Sequence, residues 1–114
     1  MKLRHWLPFG KVPSISAEML QAKLKHIQLI DVRTPTEFRA SRINNAINLP
    51  ITSFSATSIQ ALMLDKKIPI VTICLSAHRS IPATRRLLQL GYDVRQLEGG
   101  MKAWWASGYL TTNG

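Results

Sequence analysis

The sequence predicts an α/β domain built on a mainly parallel sheet. Three observations carry that prediction. Short apolar or β-branched runs alternate along the chain with amphipathic stretches of helical period, the pattern of strand–helix–strand units joined by right-handed crossovers. The most apolar run, Ile68 to Ile73, is continuous rather than alternating, as expected of a strand covered on both faces. The length, 114 residues, makes about one domain and is enough to bury roughly two-thirds of the unfolded surface in a single core.

Taken in order, Ser16 caps a helix from Ala17 to Lys25, with Leu20 and Leu24 four apart and Glu18 in the favourable first turn. Gln28 to Arg33 is a short branched strand. Thr34-Pro35-Thr36-Glu37 reads as a capping box with proline in the first helical position, which starts a helix running from about Pro35 to Ala40. Ala46 to Leu49 is a second strand, closed by Pro50. Thr52 or Ser53 starts a helix reaching Leu64, and Asp65-Lys66-Lys67 turns the chain into the strand Ile68–Ile73. Ser80 caps the next helix, with Pro82 in its first turn, Leu87, Leu88 and Leu90 inside, and Gly91 as a left-handed stop. Val94–Leu97 is a further strand, Gly99-Gly100 a tight turn, and Met101–Trp105 a last helix ending near Gly108. Residues 1–13 read as a basic extension and 14–114 as the single domain.

Composition narrows the class of partner. The formal charge of +9, from 15 Lys and Arg against 6 Asp and Glu, favours anions, nucleic acid or acidic proteins without choosing among them. No block of five like charges appears, so the same residues also suit a solvated face. One cysteine excludes a disulfide framework and fits a reducing compartment. Pro8, Gly10 and Lys11 interrupt the basic start before it reaches the length of a secretory signal, and no run approaches the roughly 20 apolar residues of a membrane helix. The expected location is cytoplasmic. Trp6, Leu7 and Phe9, with their basic flank, are the one feature that favours contact with a membrane surface.

Chemistry concentrates at the end of the most apolar strand. Cys74 opens the run Leu75-Ser76-Ala77-His78-Arg79-Ser80, which leads into a helix. Strand ends of this kind are where parallel sheets bind ligands. Successive loop amides can curl into a nest, the helix start adds partial positive charge, and Arg79 adds a permanent cation. Such settings lower a cysteine pKa from about 8.5 into a range of about 3.5 to 7.5. The expected result is a nucleophilic thiolate in an anion cradle rather than a buried structural thiol. His78 reads as a solvent-facing loop residue.

Around this loop the chain resembles the rhodanese sulfurtransferases. Cys74 to Ser80 is similar to their active-site loop, a cysteine with arginine five positions later and serine next. Leu29-Ile30-Asp31-Val32-Arg33-Thr34-Pro35 with Glu37-Phe38 resembles the first family signature, and Ile43, Ala46, Asn48 and Pro50 the segment after it. Leu97-Glu98-Gly99-Gly100 with Ala103-Trp104 and Gly108-Tyr109 resembles the carboxyl-terminal signature. The likeness runs from about Ser14 to Leu110.

What the resemblance implies is a five-stranded sheet with helices on both faces and a transfer in two halves. Cys74 takes the outer sulfur of thiosulfate or a related donor as a persulfide, then yields it to cyanide or a thiol. The amides of Leu75, Ser76, Ala77, His78 and Arg79, with Ser80 closing the loop, hold the persulfide, and the Arg79 side chain helps hold the anionic donor. No metal or organic cofactor is implied, and no nucleic acid. With no second cysteine the acceptor is external, an acidic carrier protein among the candidates. Two positions depart from the family pattern: Ser41-Arg42-Ile43 replaces Gly-His-Ile, and Ala77 stands where the loop usually has glycine. Alanine matters there only if the backbone needs positive φ, at a cost of about 1 kcal/mol or more.

Two alternatives belong to other functional classes. A phosphatase or arsenate reductase of the same fold has its arginine six positions after the cysteine, because a tetrahedral oxyanion needs a wider ring of amides; the shorter loop favours sulfur. A noncatalytic partner-binding module is the other, and the presence of Cys74 argues against it. Elsewhere, Asp31 and Glu37 are expected to order the backbone and pair with Arg33 or another cation, and one of Trp104 and Trp105 to pack under the sheet. Arg33, Arg42 and Arg85 are expected to contribute to a positive approach field.

Overall fold

The computed structural model describes residues 11–114; the Trp6, Leu7 and Phe9 cluster lies outside them. Five strands form one sheet: β1 (Ser14–Ile15), β2 (Gln28–Asp31), β3 (Ile47–Asn48), β4 (Ile70–Ile73) and β5 (Val94–Leu97). Their order is β1-β5-β4-β2-β3, and every pairing is parallel. The parallel sheet is therefore as expected. Four strands carry the branched runs read from the sequence. The fifth, β1, is two residues long, too short to show a period, and is fixed by the register of Ser14 and Ile15 on Gln96 and Leu97.

Five helices pack around it: α1 (Ala17–Lys23), α2 (Pro35–Ala40), α3 (Ala56–Ala61), α4 (Ser80–Gln89) and α5 (Gly100–Ala106). Alternation along the strands sends side chains to two cores. Leu29, Val71, Ile73 and Leu97 meet Ala17 and Leu20 of α1 and Met101 and Trp104 of α5 on one face. Ile30, Ile70 and Val94 meet Ile59 of α3 and Ala83 and Leu87 of α4 on the other, where Cys74 also lies. Helices thus cover both faces, and each fully buried aliphatic side chain contributes about 1.5–3 kcal/mol. Trp104 is the tryptophan that packs inside, against Tyr109 at 5.0 Å, while Trp105 is exposed and donates its indole N–H to Ser41 Oγ.

Local signals hold where a side chain caps the backbone. The Ser16 hydroxyl accepts from Met19 N, and Thr34 and Glu37 form the reciprocal box with Pro35 in the first turn. Three expectations are corrected. The stretch from Thr52 to Leu64 is not one helix: a 3-10 turn at Ile51–Ser53 precedes α3, because Ser55 is extended and forms its own capping box with Ser58. The first helix ends at Lys23 and tightens into a 3-10 turn over Leu24–His26. Ser80 is not a cap. Arg79 occupies that position with helical φ and ψ, and Ser80 is the first residue of α4, its hydroxyl turned to Gln96 Oε1 at 2.7 Å. Gly91 stops α4 at φ +94°, as expected.

Among the described residues no helix is long and apolar enough to cross a membrane.

Candidate active site

Cys74 follows β4 directly, and three structures converge on the loop it opens. Behind it, a buried chain of hydroxyls fixes the start of α4: Thr84 Oγ1 donates to Ser80 O at 2.6 Å, Thr72 Oγ1 lies 2.7 Å from Thr84 Oγ1, and Ser80 donates to Gln96. Beneath it, the first turn of α5 donates to the loop, Met101 N to Cys74 O at 2.8 Å and Lys102 N to Leu75 O at 3.0 Å. Gly100 permits that approach, since a Cβ there would stand 2.4 Å from Cys74 O and 2.6 Å from the Leu75 carbonyl carbon. The Gly99-Gly100 pair is thus a packing requirement of the loop and not only a turn.

The third support is Glu37. It completes the α2 capping box by accepting from Thr34 N, and with the same carboxylate it takes Arg79 bidentately, Nη1 at 2.7 Å and Nη2 at 2.9 Å. Arg79 holds the Glu37 carboxyl down at about 2, and Glu37 in turn raises the Arg79 pKa. Charge-assisted forks of this geometry fix orientation as well as charge.

Held this way, the loop turns donors onto sulfur. Arg79 N lies 3.2 Å from Cys74 Sγ. Burial pushes the thiol up, but the amides of Ser76, Arg79 and Ala77 and the Arg79 guanidinium push it down further, so its pKa lies below the ordinary value. The anion is favoured by hydrogen bonds to the charged form, which here outweigh desolvation. Ala77 reaches the turn at φ +84°, so the position where the sequence departs from glycine is one that needs positive φ. Ser76 and His78 point outward and pair with each other at 3.2 Å.

The comparisons with known proteins agree with this architecture. The rhodanese-like domain family matches residues 16–107. The chain belongs to it. Among rhodanese-like relatives, a sulfurtransferase of Allochromatium vinosum is 34% identical over 97 residues, 82% of this chain and 88% of that one. The adenylyltransferase and sulfurtransferase UBA4 of Meyerozyma guilliermondii is 34% identical over 84 residues, 68% of this chain; the chain matches only 20% of that protein's length. A crystal structure of a rhodanese-related protein from Thermoplasma volcanium superposes with a TM-score of 0.79 at 32% identity, covering 89% of this chain and 98% of that one.

Within this rhodanese-like domain the predicted residues divide. Cys74 and the amides of Ser76, Ala77 and Arg79 are brought together. The hydroxyl of Ser80 is not; it faces β5. Asp31 and Glu37 do pair with cations as expected, Asp31 with buried Arg33. Arg33, however, does not contribute to an approach field: it is 1% exposed and spent on Asp31 and on Ser41 O at 2.6 Å. Arg42, at the other departure, lies over the Phe38 ring and donates to Phe38 O and Gly114 O. Glu37 and Gly100 support the loop without having been singled out for it. Their signal was present in the Glu37-Phe38 and Gly99-Gly100 portions of the family signatures.

Proposed function

We propose that this chain is a rhodanese-type sulfurtransferase that carries a sulfane sulfur on Cys74. The observation that carries the reading is the convergence of the Ser76, Ala77 and Arg79 amides on Sγ, with Arg79 N at 3.2 Å and the thiol pKa lowered. The Cys74 thiolate attacks the outer sulfur of thiosulfate or a related donor. A new S–S bond forms, the donor S–S bond breaks, and sulfite leaves with its electron pair. The amides from Leu75 to Arg79 hold the outer sulfur of the resulting persulfide as they held the thiolate. Cyanide or a thiolate then attacks that outer sulfur and returns Cys74 to its anionic form. The covalent step divides one transfer into two, and the single cysteine of this chain leaves the second half to an external acceptor.

Arg79 acts here chiefly on the loop, because two of its N–H donors already hold Glu37. The charge of +9 suits an anionic donor, or an acceptor thiol on an acidic carrier protein. A reducing compartment such as the cytoplasm keeps the thiol available.

Intact mass after incubation with thiosulfate tests the reading. The native chain is expected to gain one sulfur atom that cyanide removes, and Cys74→Ser to gain none. Absence of a cyanide-labile sulfur on the native chain overturns the reading for that donor. Hydrolysis of an aryl phosphate that depends on Cys74 would replace it with a phosphatase.

A further inference from the structure

Away from the Cys74 loop, a half-open groove of about 590 Å³ runs beside α1. Ile15, Ile27 and Val71 are among the residues that line it, with Met19 about half exposed and Lys23 and Arg95 supplying charge. It shares His26, Ile27 and Pro69 with a second trough of about 420 Å³ that extends it towards Lys25 and Lys67. Among the described residues no acidic one lines either trough. Among the described residues the Arg95 guanidinium has a single long contact, 3.9 Å, with the exposed carboxylate of Asp93.

An apolar surface with a one-signed rim selects its occupant by charge. Residues 1–10 contain Lys2, Arg4 and His5 and no carboxylate, so they lack the charge that this rim selects, as does a second copy at +9. Nucleic acid fits the charge but not the lining: among the described residues the one aromatic ring there is the His26 imidazole, beside an aliphatic floor of Ile15, Ile27 and Val71, whereas strand binding relies on several aromatic side chains on which successive bases stack. A small ligand would be poorly enclosed, since such sites bury about 70–90% of their ligand's surface. We propose that the groove docks an acidic amphipathic segment of another protein, its apolar side chains over Ile15, Ile27 and Val71 and its carboxylates against Lys23 and Arg95. This is recognition of an amphipathic segment by its buried face and charged flanks. Val71 precedes Cys74 by three residues on β4, so a segment seated there leaves the loop beyond the strand end open. The assignment does not depend on the sulfur chemistry of Cys74.

The test titrates the full chain, methyl-labelled for NMR, with a synthetic helical peptide bearing leucines at i, i+3, i+4 and i+7 and glutamates between. A scrambled peptide of identical composition is the control. The patterned peptide is expected to shift the methyls of Ile15, Met19, Ile27 and Val71. Its affinity is expected to fall about tenfold on scrambling and in Met19→Glu or Lys23→Glu, a loss of about 1.4 kcal/mol. Arg86→Glu, on exposed α4 surface, should bind as the native chain does. Both groove positions are exposed, and a native methyl spectrum in the absence of peptide confirms that the variants fold. The proposal is overturned if the scrambled peptide binds equally, or if the shifted methyls lie elsewhere. Displacement by a single-stranded oligonucleotide overturns it in favour of nucleic acid, and binding only after removal of residues 1–10 overturns it in favour of the chain's own beginning.

Discussion

Ala77 holds its Cβ at φ +84°, a conformation that costs an L-residue about 1–2 kcal/mol. Glycine removes that cost but returns about 0.4–1 kcal/mol as unfolded-chain entropy, so Ala77→Gly is expected to stabilise the chain by about 0.5 kcal/mol. A urea midpoint that rises at constant m verifies this, and one that falls would show that the Ala77 methyl packs usefully. Three residues away, the Cys74 thiol titrates below its unfolded value, about 8.5. The thiolate therefore adds stability that is fully present above about pH 8.5 and is lost as pH falls through the folded value. The same shift lets an alkylating reagent modify Cys74 at a lower pH than a free cysteine. Since the Arg79 guanidinium is one of the groups lowering that pKa, Arg79→Ala is expected to move the alkylation profile to higher pH. An unchanged profile would leave the backbone amides as the sole cause.

At the scale of elements, the loop is supported from both sides by helix starts. The first turn of α2 supplies Glu37, whose carboxylate caps its own helix and reaches Arg79 across 42 positions of sequence. The first turn of α5 supplies the amides of Met101 and Lys102, and only glycine at position 100 lets them approach. Gly100→Ala is accordingly expected to lower stability by about 2–3 kcal/mol, through the displaced backbone hydrogen bonds, and to slow sulfur loading of Cys74. Urea unfolding and timed intact mass check the two effects. Loss of stability with loading unchanged would show that α5 holds the fold but not the loop. The α2 capping box was legible because it is local, four residues that satisfy one another. The splitting of Thr52–Leu64 was not, because two serines compete to cap and the extended backbone at Ser55 decides between them.

Over the whole molecule, the net charge of +9 gives anions a long-range attraction that salt screens, with a Debye length of about 8 Å at 0.15 M. The rate of sulfur loading from thiosulfate is expected to fall severalfold between low and physiological salt, while alkylation by neutral iodoacetamide at fixed pH stays level. A flat loading rate would reduce the basic residues to a solvated surface. Arg33 shows why such a field cannot be summed from sequence: it is buried, and its charge is already matched by Asp31. By itself the sequence determined the alternation of strands and helices, the capped starts of α1 and α2, and the position of Cys74 at a strand end. All of these depend on residues near one another in the chain. The tertiary structure alone decided that Ser80 faces Gln96, that Glu37 takes Arg79, that a two-residue β1 completes the sheet, and that the α5 amides reach the loop. Each is a contact between distant segments, set by how the layers pack and invisible to any local period.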